Sequence, residues 1–111
     1  MHKKPLISVI TVCYNSAEML QRTIKSLRMQ TYKEIEYIVI DGASKDNTLQ
    51  VIKENQDIIN LWISEPDNGL YYAMNKGLEI ASGDYLIYIN AGDMFYMPDT
   101  LEKIFSNHQD D

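Results

Sequence analysis

The chain has 111 residues, 45% of them hydrophobic, and carries 10 Lys and Arg against 16 Asp and Glu, a formal net charge of −6. A chain of this length forms one globular domain with a core large enough to need no disulfide or metal staple. The acidic balance excludes nucleic acid as the expected partner, because binding a polyanion rests on many Lys and Arg contacts to phosphate.

A single cysteine, Cys13, forms no internal bridge or thiolate cage and fits a reducing compartment; it reads as a small buried hydrophobe. The basic start before the apolar stretch Leu6 to Cys13 fails as a signal peptide. Ser8 and Thr11 interrupt the stretch, Tyr14 and Asn15 close it, and no small-residue cleavage site follows. No run approaches the ~20 apolar residues of a membrane span. The expectation is a soluble, cytoplasmic protein.

In chain order, β-branched runs alternate with segments of helical spacing. The first predicted strand is Ile7 to Cys13. Ala17, Leu20, Ile24 and Leu27 then form one helical stripe, with Asn15 or Ser16 as cap and Glu18 in the first turn. The second strand, Glu36 to Asp41, holds the unbroken apolar run Tyr37 to Ile40 of a strand buried on both faces. Leu49 and Ile52, joined by Val51, make a shorter helix, and a third strand spans about Ile59 to Ser64. Leu70, Ala73, Met74, Gly77, Leu78 and Ala81 form the next helix, closed by Ser82 and Gly83. A fourth strand runs from Tyr85 to Asn90, and Pro98 fits the first turn of a last helix carrying Leu101, Ile104 and Phe105. The tail from Asn107 to Asp111 reads as frayed, and most of the eight tyrosines read as packing residues. Helical connections require parallel neighbours and right-handed crossovers, so the expected fold is an α/β, Rossmann-like open parallel sheet of strand order 3-2-1-4 with helices on both faces. Ligands then sit beyond the carboxyl ends of the strands, between strands one and four, where the order reverses.

Four polar loops meet at that edge. Lys45, Asp46 and Glu65 read as ordinary loop polarity, and Asp46 and Asn47 also as helix-start residues. Asp41 ends an apolar strand, which places a desolvated carboxylate at the crevice floor, but Asp-Gly is equally common turn chemistry. The residues alone leave the two readings even. No GxxxxGK[ST] loop and no GxGxxG follows the first strand, which removes the main support for triphosphate hydrolysis and dinucleotide redox chemistry. Carboxylates alone repel a phosphate by roughly 4 kcal/mol per close charge pair at an effective dielectric near 20. An intervening cation reverses the sign, and Asp93 is placed to hold Mg²⁺ or Mn²⁺ with a diphosphate supplying other oxygens. The bland alternative for Asp93 is a turn aspartate before Met94 and Phe95.

Across about Pro5 to Thr100 the chain resembles the family 2 glycosyltransferases, inverting enzymes of the GT-A fold that use nucleotide-diphosphate sugars. The resemblance rests on the opening strand Ile7 to Asn15, on Gln30-Thr31-Tyr32, on the loop Asp41-Gly42-Ala43-Ser44-Lys45-Asp46-Asn47-Thr48, and on the blocks Asp67 to Gly77 and Ala81 to Tyr85. It implies a nucleotide-sugar site at Val12, Tyr14, Asn15, Asp41, Asn68, Gly69, Asn90 and Asp93, and a metal at Asp93. Tyr14 would pack on a uracil-like ring and Asp41 would accept the imide hydrogen of the base, which moves Asp41 from even odds to a functional reading. Gly92 and Tyr72 depart from the family pattern, standing where many members carry an acid. The partners implied are a nucleotide-diphosphate sugar, most simply a UDP-sugar, and a saccharide or lipid-linked saccharide acceptor. A lipid-linked acceptor would bring the protein to the inner face of a membrane.

The family's catalytic base lies in a later, acceptor-binding half, so it is expected beyond residue 111, and these residues read as a donor domain without a complete catalyst. The competing reading is a non-catalytic nucleotide-binding or interaction module. A receiver-like signalling domain would need an acidic pair where this chain has Cys13-Tyr14-Asn15, and is set aside. The apolar run Met94 to Met97 reads as core or as an interface; exposed, it would favour self-association.

Overall fold

Seven residues of β-branched and aromatic character at Ile7–Cys13 and again at Ile35–Asp41 build the two central strands of the fold. In the computed structural model, which describes residues 4–66 and 69–105, the order is β1 (Ile7–Cys13), α1 (Ala17–Arg28), β2 (Ile35–Asp41), α2 (Thr48–Glu54), β3 (Leu61–Ser64), α3 (Leu70–Ile80), β4 (Tyr85–Tyr88) and α4 (Thr100–Phe105). The nucleotide contact expected of Asn68 and the frayed tail expected over 107–111 lie outside the described residues. The four strands form one parallel sheet of order β3-β2-β1-β4, as the alternation of strand and helix patterns requires. Among the described residues no helix is long and apolar enough to cross a membrane.

Alternation along the strands sends side chains to two cores. Ile7, Val9, Tyr37 and Val39 pack with Leu20, Ile24 and Leu27 of α1, Val51 and Ile52 of α2, and Leu101 of α4. The opposite face is thinner, with Ile10, Ile38 and Ile40 packed on Ala73 of α3. Thr11 and Tyr37 share a 2.8 Å hydroxyl hydrogen bond inside the larger core, which satisfies the polar groups buried there. Only Tyr32 and Tyr37 of the tyrosines are buried; Tyr14, Tyr71, Tyr72, Tyr85, Tyr88 and Tyr96 are exposed. The packing role expected for most of them is therefore corrected: β4 is an edge strand, and α3 turns Tyr71 and Tyr72 outward.

Several element ends differ from the sequence pattern, and β2 begins one residue early, at Ile35. β3 begins at Leu61, because Ile59 donates its N–H back to the Asn55 carbonyl at 2.9 Å and fills the core from a turn. β4 ends at Tyr88, although Ile89 adds one more ladder bond to Ile10. Pro98 precedes α4 instead of opening it. It occupies the second position of a turn closed by Thr100 N–H on the Met97 carbonyl, a place that suits its fixed φ.

The amino-terminal end of the sheet is clasped by a polar cluster. Glu36 accepts hydrogen bonds from Ser8 Oγ at 2.8 Å, Ser82 N at 2.9 Å and Ser82 Oγ at 2.8 Å, and Gly83 N donates to Ser8 Oγ at 2.8 Å. Gly83 is required by close approach rather than as a left-handed helix cap: a Cβ there would lie 2.7 Å from Ser8 N and 2.9 Å from the Leu6 carbonyl. Partial burial acts to raise the Glu36 pKa, and the hydrogen bonds from Ser82 and Ser8 together outweigh it, leaving the carboxyl below its ordinary value.

Two outcomes follow for this clasp. Gly83→Ala forces backbone apart in a packed corner and is expected to destabilise by about 1–3 kcal/mol, lowering Tm by several degrees in a thermal melt; an unchanged Tm would contradict the close packing. Because its folded pKa is depressed, Glu36 contributes stability that is full above its ordinary value of 4.5 and is lost as pH falls through the lower folded pKa. Melts of wild type and Glu36→Gln should therefore differ at pH 7 and converge in acid.

Candidate functional site

The parallel register sets the carboxyl edge. Cys13 pairs with Asp41 across β1 and β2, and Asp41 with Ser64 across β2 and β3, so three strand-final side chains stand in one row. Asp41, at its centre, is fully buried. Its Oδ2 accepts from Ser44 N at 2.9 Å and Ser64 Oγ at 2.8 Å, and its Oδ1 accepts from Ser44 Oγ and from Cys13 Sγ at 3.6 Å. A buried carboxylate is tolerated only with such a set of donors. Burial first, and then the Asp41 charge, push the Cys13 thiol well up, so it is a packing residue and a weak donor rather than a nucleophile.

The loops after β1 and β2 interlock above this row. Asn15 N donates to Ser44 Oγ and Lys45 N donates to Asn15 Oδ1, both at 2.8 Å. Both loops use left-handed backbone at non-glycine positions, Asn15 at φ 47° and Ala43 at φ 63°, a conformation asparagine tolerates better than alanine. Ser16 is the N-cap of α1, one of the two residues expected there, but makes no side-chain cap bond; Asp46 accepts from Ala17 N at 3.4 Å instead, and also from Thr48 N at 2.9 Å. The hydrogen bonds from Thr48, side chain first, hold the Asp46 carboxyl below the usual range.

Between β1 and β4, where the strand order reverses, a cleft of about 480 Å³ is lined by Val12, Cys13, Tyr14, Ser16, Gly69, Leu70, Ala73, Asn90 and Ala91. Tyr14 stands at it 55% exposed. The first turn of the 11-residue α3 faces it, with Gly69 as N-cap at φ 112° and no acid in that turn, an arrangement whose backbone dipoles favour an anion. Four of the residues expected to meet a ligand, Val12, Tyr14, Gly69 and Asn90, are thus brought together. Asp41 lies beneath the cleft and Asn15 in the loop beside it, with its side-chain oxygen engaged by Lys45.

Asp93 follows directly in a turn closed by its own N–H on the Asn90 carbonyl at 2.9 Å, and is exposed. Gly92 holds the third position of that turn at φ 102°, a left-handed value that explains glycine where an acid was the family expectation. Among the described residues no three His, Cys, Asp or Glu side chains group as a metal cage. A lone exposed carboxylate suits a hard divalent ion that keeps most of its sites for water and ligand oxygens, so the chain fits Mg²⁺ or Mn²⁺ only as part of a ternary assembly.

Thr23, which holds this turn, and Ser26 lay outside the sequence reading, and Gln30 entered it only as part of the resemblance. Thr23 and Ser26 of α1 and Gln30, two residues past its end, form a buried polar face. Thr23 Oγ1 accepts from Gly92 N at 2.9 Å and donates to the Asp93 carbonyl at 2.7 Å, while Ser26 Oγ accepts from Phe95 N at 3.2 Å. Gln30 donates to the Met97 carbonyl at 2.8 Å and accepts from Leu101 N at 3.1 Å. Within the apolar run, Phe95 packs on the core while Met94, Tyr96 and Met97 are exposed. The core reading of that run therefore holds for Phe95 and not for its three exposed neighbours. The spacing 23, 26, 30 was the available signal, hidden because the apolar stripe beside it accounts for the helix.

The model of the family described as glycosyl transferase family 2 matches residues 8–111. An uncharacterized glycosyltransferase of Mycobacterium tuberculosis is 44% identical over 104 residues, which are 93% of this chain and 40% of that protein. Among solved structures, a mannosyltransferase of Pyrobaculum calidifontis in complex with GDP-Man and Mn²⁺ superposes with TM-score 0.81 at 26% identity, over 89% of this chain and 31% of its own. TarS of S. aureus, residues 1–349, in complex with UDP-GlcNAc, gives TM-score 0.81 at 27% identity, over 88% of this chain and 29% of its own. The chain spans about 40% of the length of the curated relatives it matches. With its sheet order, switch-point cleft and matched residues, the chain belongs to the glycosyl transferase family 2 and has the GT-A fold.

Proposed function

We propose that this domain binds a nucleotide-diphosphate sugar, with uridine as the base, in the cleft between β1 and β4, for transfer of the sugar to an acceptor hydroxyl with inversion. The observation that carries the reading is the convergence on one cleft at the switch point of Tyr14, the α3 N-terminus at Gly69, and Asn90 with Ala91, the first two residues of the turn that ends at Asp93. Tyr14 offers an exposed ring for stacking on the base. The first turn of α3 offers N–H groups and the positive end of its dipole to phosphate. Asp93 would hold Mg²⁺ or Mn²⁺, which supplies positive charge to stabilise the diphosphate leaving group. The proposed bond from Asp41 to the base imide requires the carboxylate to exchange one of its present donors, Ser44 or Cys13, for the ligand. In the present state Asp41 orders the loop through Ser44, and through the Ser44 hydroxyl the backbone of Asn15.

The two solved neighbours carry different nucleotides, GDP-Man in one and UDP-GlcNAc in the other, so the shared fold accepts either base. The choice of uridine here rests on Tyr14 and Asp41. The acceptor, a saccharide or lipid-linked saccharide, and the base that takes its proton are assigned to residues beyond this chain.

Calorimetric titration of the 111-residue chain with UDP and GDP, with and without Mn²⁺, tests the reading. UDP should bind more tightly with Mn²⁺ present and more tightly than GDP, and Asp93→Ala should abolish the Mn²⁺ effect. Tyr14→Ala should weaken UDP by roughly tenfold, since stacking of a base on an aromatic ring is worth ~1–3 kcal/mol. UDP heats that are absent in both conditions, or unchanged by Asp93→Ala, would remove the donor site from this cleft.

A further inference from the structure

Asp93 is the one acid of the proposed metal position, and its side chain hangs from a turn that owes little to regular structure. β4 ends at Tyr88 and α4 begins at Thr100, so beyond the last ladder bond, from Ile89 N to Ile10, neither strand nor helix fixes the backbone between them. Gly92, at φ 102°, is its most permissive residue. Ser26 and Gln30 hold its later part at Phe95 and Met97, and the Gly92 N–H reaches the Met19 carbonyl at 3.1 Å; the side chain that grips the Gly92–Asp93 segment itself is Thr23 of α1. Thr23 is fully buried, and its hydroxyl is the shared partner of the Gly92 N–H and the Asp93 carbonyl, with the Met19 and Asn90 carbonyls at 3.2 and 3.4 Å around it.

The consequence is geometric. The Asp93 N–H is fixed by the Asn90 carbonyl and the Asp93 C=O by Thr23. With both neighbouring peptide groups pinned, the direction of its Cα–Cβ bond is set before any ligand arrives. Resting on the donor-site reading above, we infer that Thr23 is a positioning residue for Asp93: its buried hydroxyl aims the carboxylate and thereby sets the strength of metal-dependent nucleotide-diphosphate binding without touching metal or nucleotide. A hydroxyl is needed because the position must accept one hydrogen bond and donate another; an isosteric methyl does neither and leaves two backbone groups without this partner.

The test is the same calorimetric titration, UDP with and without Mn²⁺, on wild type, Thr23→Val and Thr23→Ser, with a thermal melt of each. Thr23→Val conserves shape and removes the hydroxyl. It is expected to weaken Mn²⁺-dependent UDP binding by about tenfold, the effect of losing about one well-formed buried hydrogen bond, while UDP affinity without metal stays within about twofold. Thr23→Ser keeps the hydroxyl and loses the methyl, so it should retain the Mn²⁺ enhancement even where its melt falls below that of wild type. Val binding with full Mn²⁺ enhancement would overturn the assignment. So would a loss of that enhancement in the Ser variant, which decides the matter even if the Val variant does not fold. A wild-type chain that binds UDP equally with and without Mn²⁺ would instead remove the metal role of Asp93, and the assignment with it, and this failure is visible before any variant is compared.

Discussion

The carboxyl edge of this domain is organised by one buried charge. Asp41 sits in the middle of the row Cys13, Asp41, Ser64 because three parallel strands end in register, and a carboxylate in that position is stable only if its lone pairs are filled. Ser44, from the loop it begins, supplies both an amide and a hydroxyl to it. The same Ser44 hydroxyl accepts the Asn15 N–H. A single desolvated group thus ties the second loop to its own strand and the first loop to the second, which fixes the wall from which Tyr14 projects.

The two ends of the sheet answer different demands. At the amino-terminal end, Ser8, Glu36, Ser82 and Gly83 close on one another through direct hydrogen bonds. The Ala81 to Tyr85 block therefore works for the fold: Gly83 is needed because backbone lies within 3 Å of where a Cβ would be. At the carboxyl end the backbone takes left-handed conformations at Asn15, Ala43, Gly69 and Gly92. Such conformations in four loops at one sheet edge are what a site assembled from strand ends requires, since a loop must reverse quickly to return its helix to the sheet.

The architecture was legible in the sequence because burial imposes period and composition. A strand such as Tyr37 to Ile40, apolar on both faces, has few other solutions, and the helical connections then force parallel order. The polar lattice was less legible. Thr23, Ser26 and Gln30 look like ordinary solvent-facing residues beside an apolar stripe, and only the path of 90–101 over α1 turns them inward. Asp41 shows the converse. The sequence pattern left a desolvated strand-end acid and ordinary turn chemistry even; Asp41 is fully buried, yet its four donors come from three separate segments, and no local pattern announces that they converge. Pro98 was misplaced for a similar reason: a turn before the helix and the first turn of the helix both satisfy its φ.

Glycine at position 92 and threonine at position 23 are parts of one solution. A second acid at position 92 would bring another charge to the cleft, but it would have to adopt a φ near +102° beside Met19, whose Sδ lies 3.2 Å from the Cβ it would carry. Glycine removes that conflict and gives up both the charge and the stiffness of a side chain. Less charge means that a cation is held by fewer protein oxygens, so more of its coordination must come from the diphosphate, and ion and nucleotide become mutually dependent in the proposed site. Less stiffness means that the remaining carboxylate, Asp93, would lose direction unless its backbone were held from outside the turn. The hydroxyl of Thr23 does that from a helix already locked into the core by Leu20, Ile24 and Leu27. The rigidity of the larger core is in this way carried to the one acid of the turn, through two hydrogen bonds.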